Sequence, residues 1–247
     1  MTDQTRRQLT SSILAGAGLC ALSGMAIRSN AIASDRRTEF LDVLNQIYNV
    51  SKMLSTGKVS QLEWQSEISR LVALADYREF KSAIDFDKAA ASLRFAEKGV
   101  ATSRVTLPMA HGMSPTVYTK LFAVGKGRAV IPHGHKGMCS GHLILDGRMR
   151  SRQYDRIETG EKSWRVRPVH DAIEGAGDFS TISDDASNVH WFVAEKDSWT
   201  LDFIMAPANT GTDWTIQNLD MADAIMVEQD LLDVPTIGVS DALQKYG

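Results

Sequence analysis

The sequence predicts a mainly β domain behind an α-helical N-terminal extension, and three observations carry that expectation. From about Ser103 the chain breaks into short apolar or alternating stretches: Arg104–Pro108, Val117–Val124, Arg128–Pro132, His142–Leu145, Arg148–Tyr154, Trp164–Val169, Phe179–Ile182, Val189–Ala194, Trp199–Met205 and Trp214–Gln217. Glycines at 125, 127, 137, 141, 147, 160, 175 and 177 punctuate them, and many short strands at such spacing mark a sandwich or barrel. No internal repeat is present, so a single barrel is expected.

The first residues read as a leader. Thr5-Arg6-Arg7-Gln8-Leu9 precedes a mildly apolar, glycine-containing run from Ser11 to Ile27, followed by Arg28 and then Ala31-Ile32-Ala33. That pattern is a signal peptide with cleavage after Ala33. The paired arginines resemble a twin-arginine signal, which implies the twin-arginine export machinery as a partner and a periplasmic or secreted location. The run is short and glycine-rich for a permanent span, so no stable membrane anchor is expected. Cys20 leaves with the leader, and Cys139 becomes the only cysteine.

Residues 34–100 read as the helical extension. Phe40, Leu44, Ile47 and Tyr48 recur at three- and four-residue steps, as do Trp64, Ile68, Leu71 and Val72. Gly57 breaks the first helix, and Ser60-Gln-Leu-Glu63 is a capping box that starts the second. One or two short helices follow between Ala73 and Phe95. Residues 101–220 hold the strands. Residues 221–247 read as an extended tail with a short helix after Ser240. The net charge of −3 on 247 residues leaves no basic excess to neutralise phosphates, so nucleic acid is excluded as a partner.

The candidate chemistry lies in Gly127-Arg-Ala-Val-Ile-Pro-His133-Gly-His135-Lys-Gly-Met-Cys-Ser140-Gly-His142-Leu-Ile-Leu-Asp-Gly147. On a strand, His133 and His135 share one face about 6.6 Å apart, where two imidazoles can close on one metal ion. The spacing resembles the first motif of the cupin superfamily: Gly, five residues, His-x-His, three or four residues, Glu, six residues, Gly. Gly127, His133, His135 and Gly147 fall in register, while Ser140 stands in the Glu slot. The family's third histidine comes from a later strand, and His190 in Ser183-Asp-Asp-Ala-Ser-Asn-Val-His190-Trp-Phe matches it. There Asp185 and Ser187 replace the usual Pro and Gly, and Ala194 holds the slot of an Asn.

The nearer likeness is to the three-histidine thiol dioxygenases, of the cysteamine dioxygenase and plant cysteine oxidase type. They share the His-x-His before a Gly-Met turn (His133-Gly-His135-Lys-Gly-Met138), the missing Glu, an Asn-apolar-His stretch and a strand ending like Ala206-Pro207. The resemblance covers roughly residues 115–215. It implies a single cupin barrel (a double-stranded β-helix, or jelly roll), a divalent metal, Fe(II), on His133, His135 and His190, a small anionic substrate such as a thiol, and O2. Imidazole itself suits Fe, Zn, Ni, Cu and Mn alike.

His142 faces the same side as Ser140 and is expected beside the metal as a base or interior polar group, the alternative being a fourth ligand. Cys139 reads as a buried spectator, the alternative being the cysteine–tyrosine crosslink of some thiol dioxygenases, with Tyr154 or Tyr118. Arg148, Arg150 and Arg152 share one strand face, which is either solvated or turned inward to bind a carboxylate. His111 and His170 lack a ligand-spaced partner. Two rival functions stand beside the dioxygenase: a Zn or Mn isomerase or lyase with His142 as proton carrier, and a non-catalytic periplasmic metal- or ligand-binding protein. A homodimer is the assembly allowed for. If the leader works through its arginine pair, replacing Arg6 and Arg7 together by Lys leaves the protein in the cytoplasm, as cell fractionation would show; normal export of that variant refutes the assignment.

Overall fold

The computed structural model describes residues 37–108, 116–211 and 213–247. The leader with Arg6, Arg7 and Cys20, and also His111, lie outside the described residues. The chain divides by its contacts after Asp42. Of the first unit, residues 37–42 are described, and they are helical. The second unit, from Val43 onward, contains everything below.

Among the described residues from Val43 onward, four helices precede the strands: α1 (43–55), α2 (Gln61–Val72), α3 (Tyr77–Ala83) and α4 (Phe86–Ser92). The capping box at Ser60 and Glu63 is formed, so two of the orphan amides at the start of α2 are satisfied. Trp64, Ile68, Leu71 and Val72 are the buried stripe of α2, and Trp64 Nε1 donates to Ser51 Oγ of α1 at 3.0 Å.

Twelve strands follow among the described residues, β1 (Ala101–Val105), β2 (Tyr118–Val124), β3 (Ala129–Lys136), β4 (Cys139–Asp146), β5 (Arg148–Thr159), β6 (Ser163–Gly175), β7 (Phe179–Ile182), β8 (Val189–Ala194), β9 (Ser198–Met205), β10 (Thr215–Asn218), β11 (Ile225–Glu228) and β12 (Leu231–Pro235). One sheet has the order β1-β2-β9-β4-β7 and the other β10-β3-β8-β5-β6-β12-β11. At their centres the orders β2-β9-β4-β7 and β3-β8-β5-β6 interleave as two antiparallel Greek keys, the jelly roll of the cupin barrel. The expected fold class is therefore observed.

Val124 and Ile144 of the first sheet meet Val130, Met149, Phe192 and Ala194 of the second in one core cluster. β4 is buried along Cys139–Leu145, because both of its faces are covered. Ser140, His142 and Ile144 turn into the barrel; the alternate residues lie under the helices, where Phe80 of α3 stacks edge-on against Phe203 of β9 at 5.9 Å. A strand covered on both sides reads as a continuous apolar run.

The stretch expected as an extended tail with a short helix after Ser240 carries that helix, α5 (Val239–Tyr246), but its extended part forms a 3-10 turn (Met221–Asp223) and two strands. β12 pairs with β6 and extends the second sheet. Leu219 and Val234 join Tyr154, Trp164, Val166 and Val189 in a second cluster, on the face of that sheet opposite His190. The extension escapes periodicity reasoning because Ile225, Met226 and Val227 do not alternate with polar residues. Among the described residues, no helix is long and apolar enough to cross a membrane.

Asp220 anchors α5. It accepts hydrogen bonds from Lys245 Nζ and the Tyr246 hydroxyl, while the Tyr246 ring packs on Trp191 at 5.4 Å. Burial pushes the Asp220 carboxyl up, but those two hydrogen bonds outweigh it and hold it below its ordinary value. A depressed carboxyl stabilises the folded form above the ordinary carboxylate range, and that stabilisation is lost as pH falls through the folded value. The NMR shift of the Tyr246 ring should thus move toward its free value below about pH 4, and Asp220→Asn should give the released shift already at neutral pH.

Candidate metal centre

β3 and β8 run antiparallel, with Val130 opposite Phe192 and His133 opposite His190. Between those pairs, Ile131 and Pro132 face the single residue Trp191, which is a β-bulge. The extra residue changes the parity of the strand. Val130 turns into the barrel core and so do His133 and His135, an arrangement that strict alternation forbids. Proline is tolerated there because a bulge takes a residue out of the ladder.

The bulge also sets a ring. His133 Nδ1 lies 2.7 Å from the Ile131 carbonyl oxygen and donates to it, which leaves Nε2 as a bare lone pair. His135 Nδ1 lies 2.9 Å from Met138 Sδ, so its Nε2 is also free of hydrogen, thioether sulfur being only an acceptor. His190 Nε2 sits 2.9 Å from His133 Nε2 and 3.3 Å from His135 Nε2. His190 Nδ1 is buried with no hydrogen-bond partner.

Burial pushes the His133 imidazole down to about 4 and holds His135 and His190 well below their ordinary value. The rings are therefore neutral at pH 7, and three nitrogens converge with a single hydrogen at most to share. A cation removes that conflict. Nitrogens each about 2.1 Å from one ion at right angles are about 3.0 Å apart, close to the separations observed. The candidate ligand atoms of the three rings all lie within 4.8 Å of one another. The donor set fits a divalent metal, and its expected residues are brought together.

His142 is placed beside the cluster, its ring 4.9 Å from that of His190 and 5.2 Å from Phe192. Its Nδ1 is 2.7 Å from Asp202 Oδ2, and Thr200 Oγ1 donates to Asp202 Oδ1 at 2.6 Å. With Nδ1–H given to Asp202, Nε2 accepts the Ser140 hydroxyl at 3.0 Å. All four side chains are buried. This is the geometry in which a carboxyl orients an imidazole that in turn polarises a hydroxyl.

Asp202 is the residue sequence reasoning missed. Its signal was a carboxyl in the middle of the apolar run Trp199–Met205, since an acid is rarely buried without a partner. Asn188 was seen only as part of a motif. Its side chain brackets the His135 backbone, accepting from His135 N at 3.3 Å and donating to His135 O at 2.8 Å.

The remaining candidates fall outside the cluster. Cys139 Sγ donates to Gln61 Oε1 of α2 at 3.2 Å, and burial pushes the thiol up; Tyr154 packs instead in the opposite-face cluster. Arg148, Arg150 and Arg152 lie on the outer face, in ion pairs with Glu195 and Asp171, so no inward carboxylate clamp is formed. His170 pairs with Glu174 on β6.

No family model matches the sequence, and no curated protein does either. Among solved structures, the chain is similar to SigE in complex with the anti-sigma ChrR from Rhodobacter sphaeroides (26% identity, TM-score 0.29, covering 45% of this chain and 48% of that one). It therefore spans about half of that chain's length. It is also similar to KdgF from Halomonas sp. (16% identity, TM-score 0.33, 45% of this chain and 83% of that one), and to a cupin superfamily protein from Desulfitobacterium hafniense (16% identity, TM-score 0.32, 47% and 84%).

Between the two histidines of β3, Gly134 lies against the Trp164 ring, where an added Cβ would meet Cζ3 at 2.2 Å. Gly134→Ala should lower stability by about 1–3 kcal/mol through overpacking, measured by thermal unfolding. An unchanged melting temperature would mean that Trp164 moves aside freely.

Proposed function

We propose that this chain is a metal-dependent cupin that holds one Fe(II) ion on His133, His135 and His190 and dioxygenates a small anionic substrate, a thiol before others. The single observation that supports it is the convergence of three neutral Nε2 atoms, with the His133 and His135 rings oriented from behind by the Ile131 carbonyl and Met138 Sδ. An ion on three uncharged ligands keeps its full double charge, which draws an anion such as a thiolate. Bound Fe(II) would supply electron exchange between that anion and O2. The balance is closed, because R–SH and O2 give R–SO2H with both oxygen atoms on sulfur and no outside reductant.

The chain's own residues do the rest. Phe192, Ile144 and Met149 keep the interior beneath the rings dry. His133 is the least buried of the three rings, so the substrate approaches past it. Asp202 holds the proton on His142 Nδ1, and His142 Nε2 takes up a proton through the Ser140 hydroxyl as the substrate binds in its anionic form. The arginine pair of the leader supports a periplasmic or secreted site of action.

The Ser140–His142–Asp202 chain favours one other reading. A positioned imidazole beside a Lewis-acid ion is what a Zn or Mn isomerase or lyase uses to shift a proton on a keto acid or sugar-like substrate. Oxygen consumption separates the two. Under the first reading, Fe(II)-loaded protein given cysteamine or cysteine consumes one O2 per thiol and forms the sulfinate. Under the second, it consumes none. His133→Ala, His135→Ala and His190→Ala should each strip most of the bound metal, measured by elemental analysis of the purified protein. Full metal content in His190→Ala removes that residue from the ligand set.

A further inference from the structure

We infer that helix α2 is part of the metal site's support, coupling metal occupancy to the docking of the helical extension on the barrel through Gln61 and Gln65. This rests on the three-histidine metal reading above. The observation is a continuous buried hydrogen-bond path from α2 to His135.

Gln61 and Gln65 are one helical turn apart on α2 and point the same way. Gln65 Oε1 accepts the Ser183 hydroxyl at 2.6 Å, and Ser183 is fully buried. The Ser183 carbonyl accepts from Asn188 Nδ2 at 2.9 Å, and the same amide group donates to His135 O at 2.8 Å. Gln61 forms a second branch. Its Oε1 accepts from the Asp184 amide at 2.7 Å and its Nε2 donates to Asp184 Oδ2 at 3.1 Å. Asp184 Oδ2 in turn accepts from the amide of Gly137 at 2.8 Å. Gly137, at φ +72°, makes the turn between β3 and β4, and the carbonyl of His135 just before it also takes Arg156 Nη1 at 2.6 Å.

One branch thus ends on the backbone of His135 itself, through the loop 183–188, and the other on the amide of Gly137, two residues further along, in the turn 136–138. His133 is set by its own bulge and needs neither branch. His135 depends on the loop, and the loop depends on α2. Groups that orient a metal ligand commonly change metal affinity 10- to 100-fold when removed. Coupling is reciprocal, so the factor by which a docked α2 tightens metal is the factor by which metal tightens docking. Gln61 and Gln65 are positioning residues: neither touches the ion.

The test uses the full chain and Zn(II) alone. In wild type, hydrogen exchange over 61–72 should slow when Zn(II) is added, together with that over 183–190. Gln61→Leu/Gln65→Leu should bind Zn(II) 10- to 100-fold more weakly by competition with a chromophoric chelator, and its α2 exchange should no longer respond. Leu62→Ala, on the exposed face of the same helix, serves as the control and should bind as wild type does. Equal Zn(II) affinity in the double variant, or an α2 exchange rate in wild type that ignores Zn(II), overturns the coupling while leaving the metal site standing. Wild type that takes up no Zn(II) overturns the metal reading and the coupling together. Should the double variant not fold, the wild-type exchange measurement alone decides.

Discussion

One irregularity in one strand pair aims the whole site. Two residues of β3, Ile131 and Pro132, oppose one residue of β8, and this offset lets an apolar side chain and two histidines of differing parity share the barrel interior. Without it, the ladder that buries Val130 would turn His133 and His135 toward Trp164 and the outer cluster. The same offset exposes the Ile131 carbonyl to His133 Nδ1. Strand register and ring tautomer are therefore settled by one backbone feature, before any ion arrives.

The second requirement is that the barrel wall be covered from outside. β4 carries Ser140 and His142 inward and Cys139, Gly141 and Leu143 outward, and all are buried. The outward set needs the helices, and the inward set needs a filled interior. The polar groups that this leaves in the interior are tied to one another across strands: Ser140 and His142 on β4, Asp202 and Thr200 on β9. Buried polar side chains cost free energy unless their hydrogen bonds are made, and here each of these four has a partner. That closure makes the network rigid enough to hold a proton at a fixed atom.

Much of this was legible in the sequence, and the reasons differ from residue to residue. His133 and His135 announce themselves because two residues apart on a strand means one face. His190 required the family likeness, since its partner across the ladder is 57 positions away. Asp202 went unnoticed because its partner, His142, is 60 positions off and no local pattern links them. The bulge is a single extra residue, too small to disturb a period, and Pro132 looked like the end of a strand instead of its middle. The strands β11 and β12 lack alternation, so their pairing is decided by what β6 offers. The helices were readable from their apolar stripe and the capping box at Ser60, but what Gln61 and Gln65 hold was not, because a polar pair beside that stripe reads as a solvated flank.

Cys139 lies fully buried under α2, a hydrogen-bond donor whose thiol is held far from ionisation by its surroundings. Thiolate is the nucleophile that attacks alkylating agents, disulfides and peroxides, so this sulfur is chemically quiet. Among the described residues no disulfide is formed, so their packing and hydrogen bonds do not depend on thiol–disulfide exchange. Such a body can fold in a reducing milieu and serve in an oxidising one without being remade on the way.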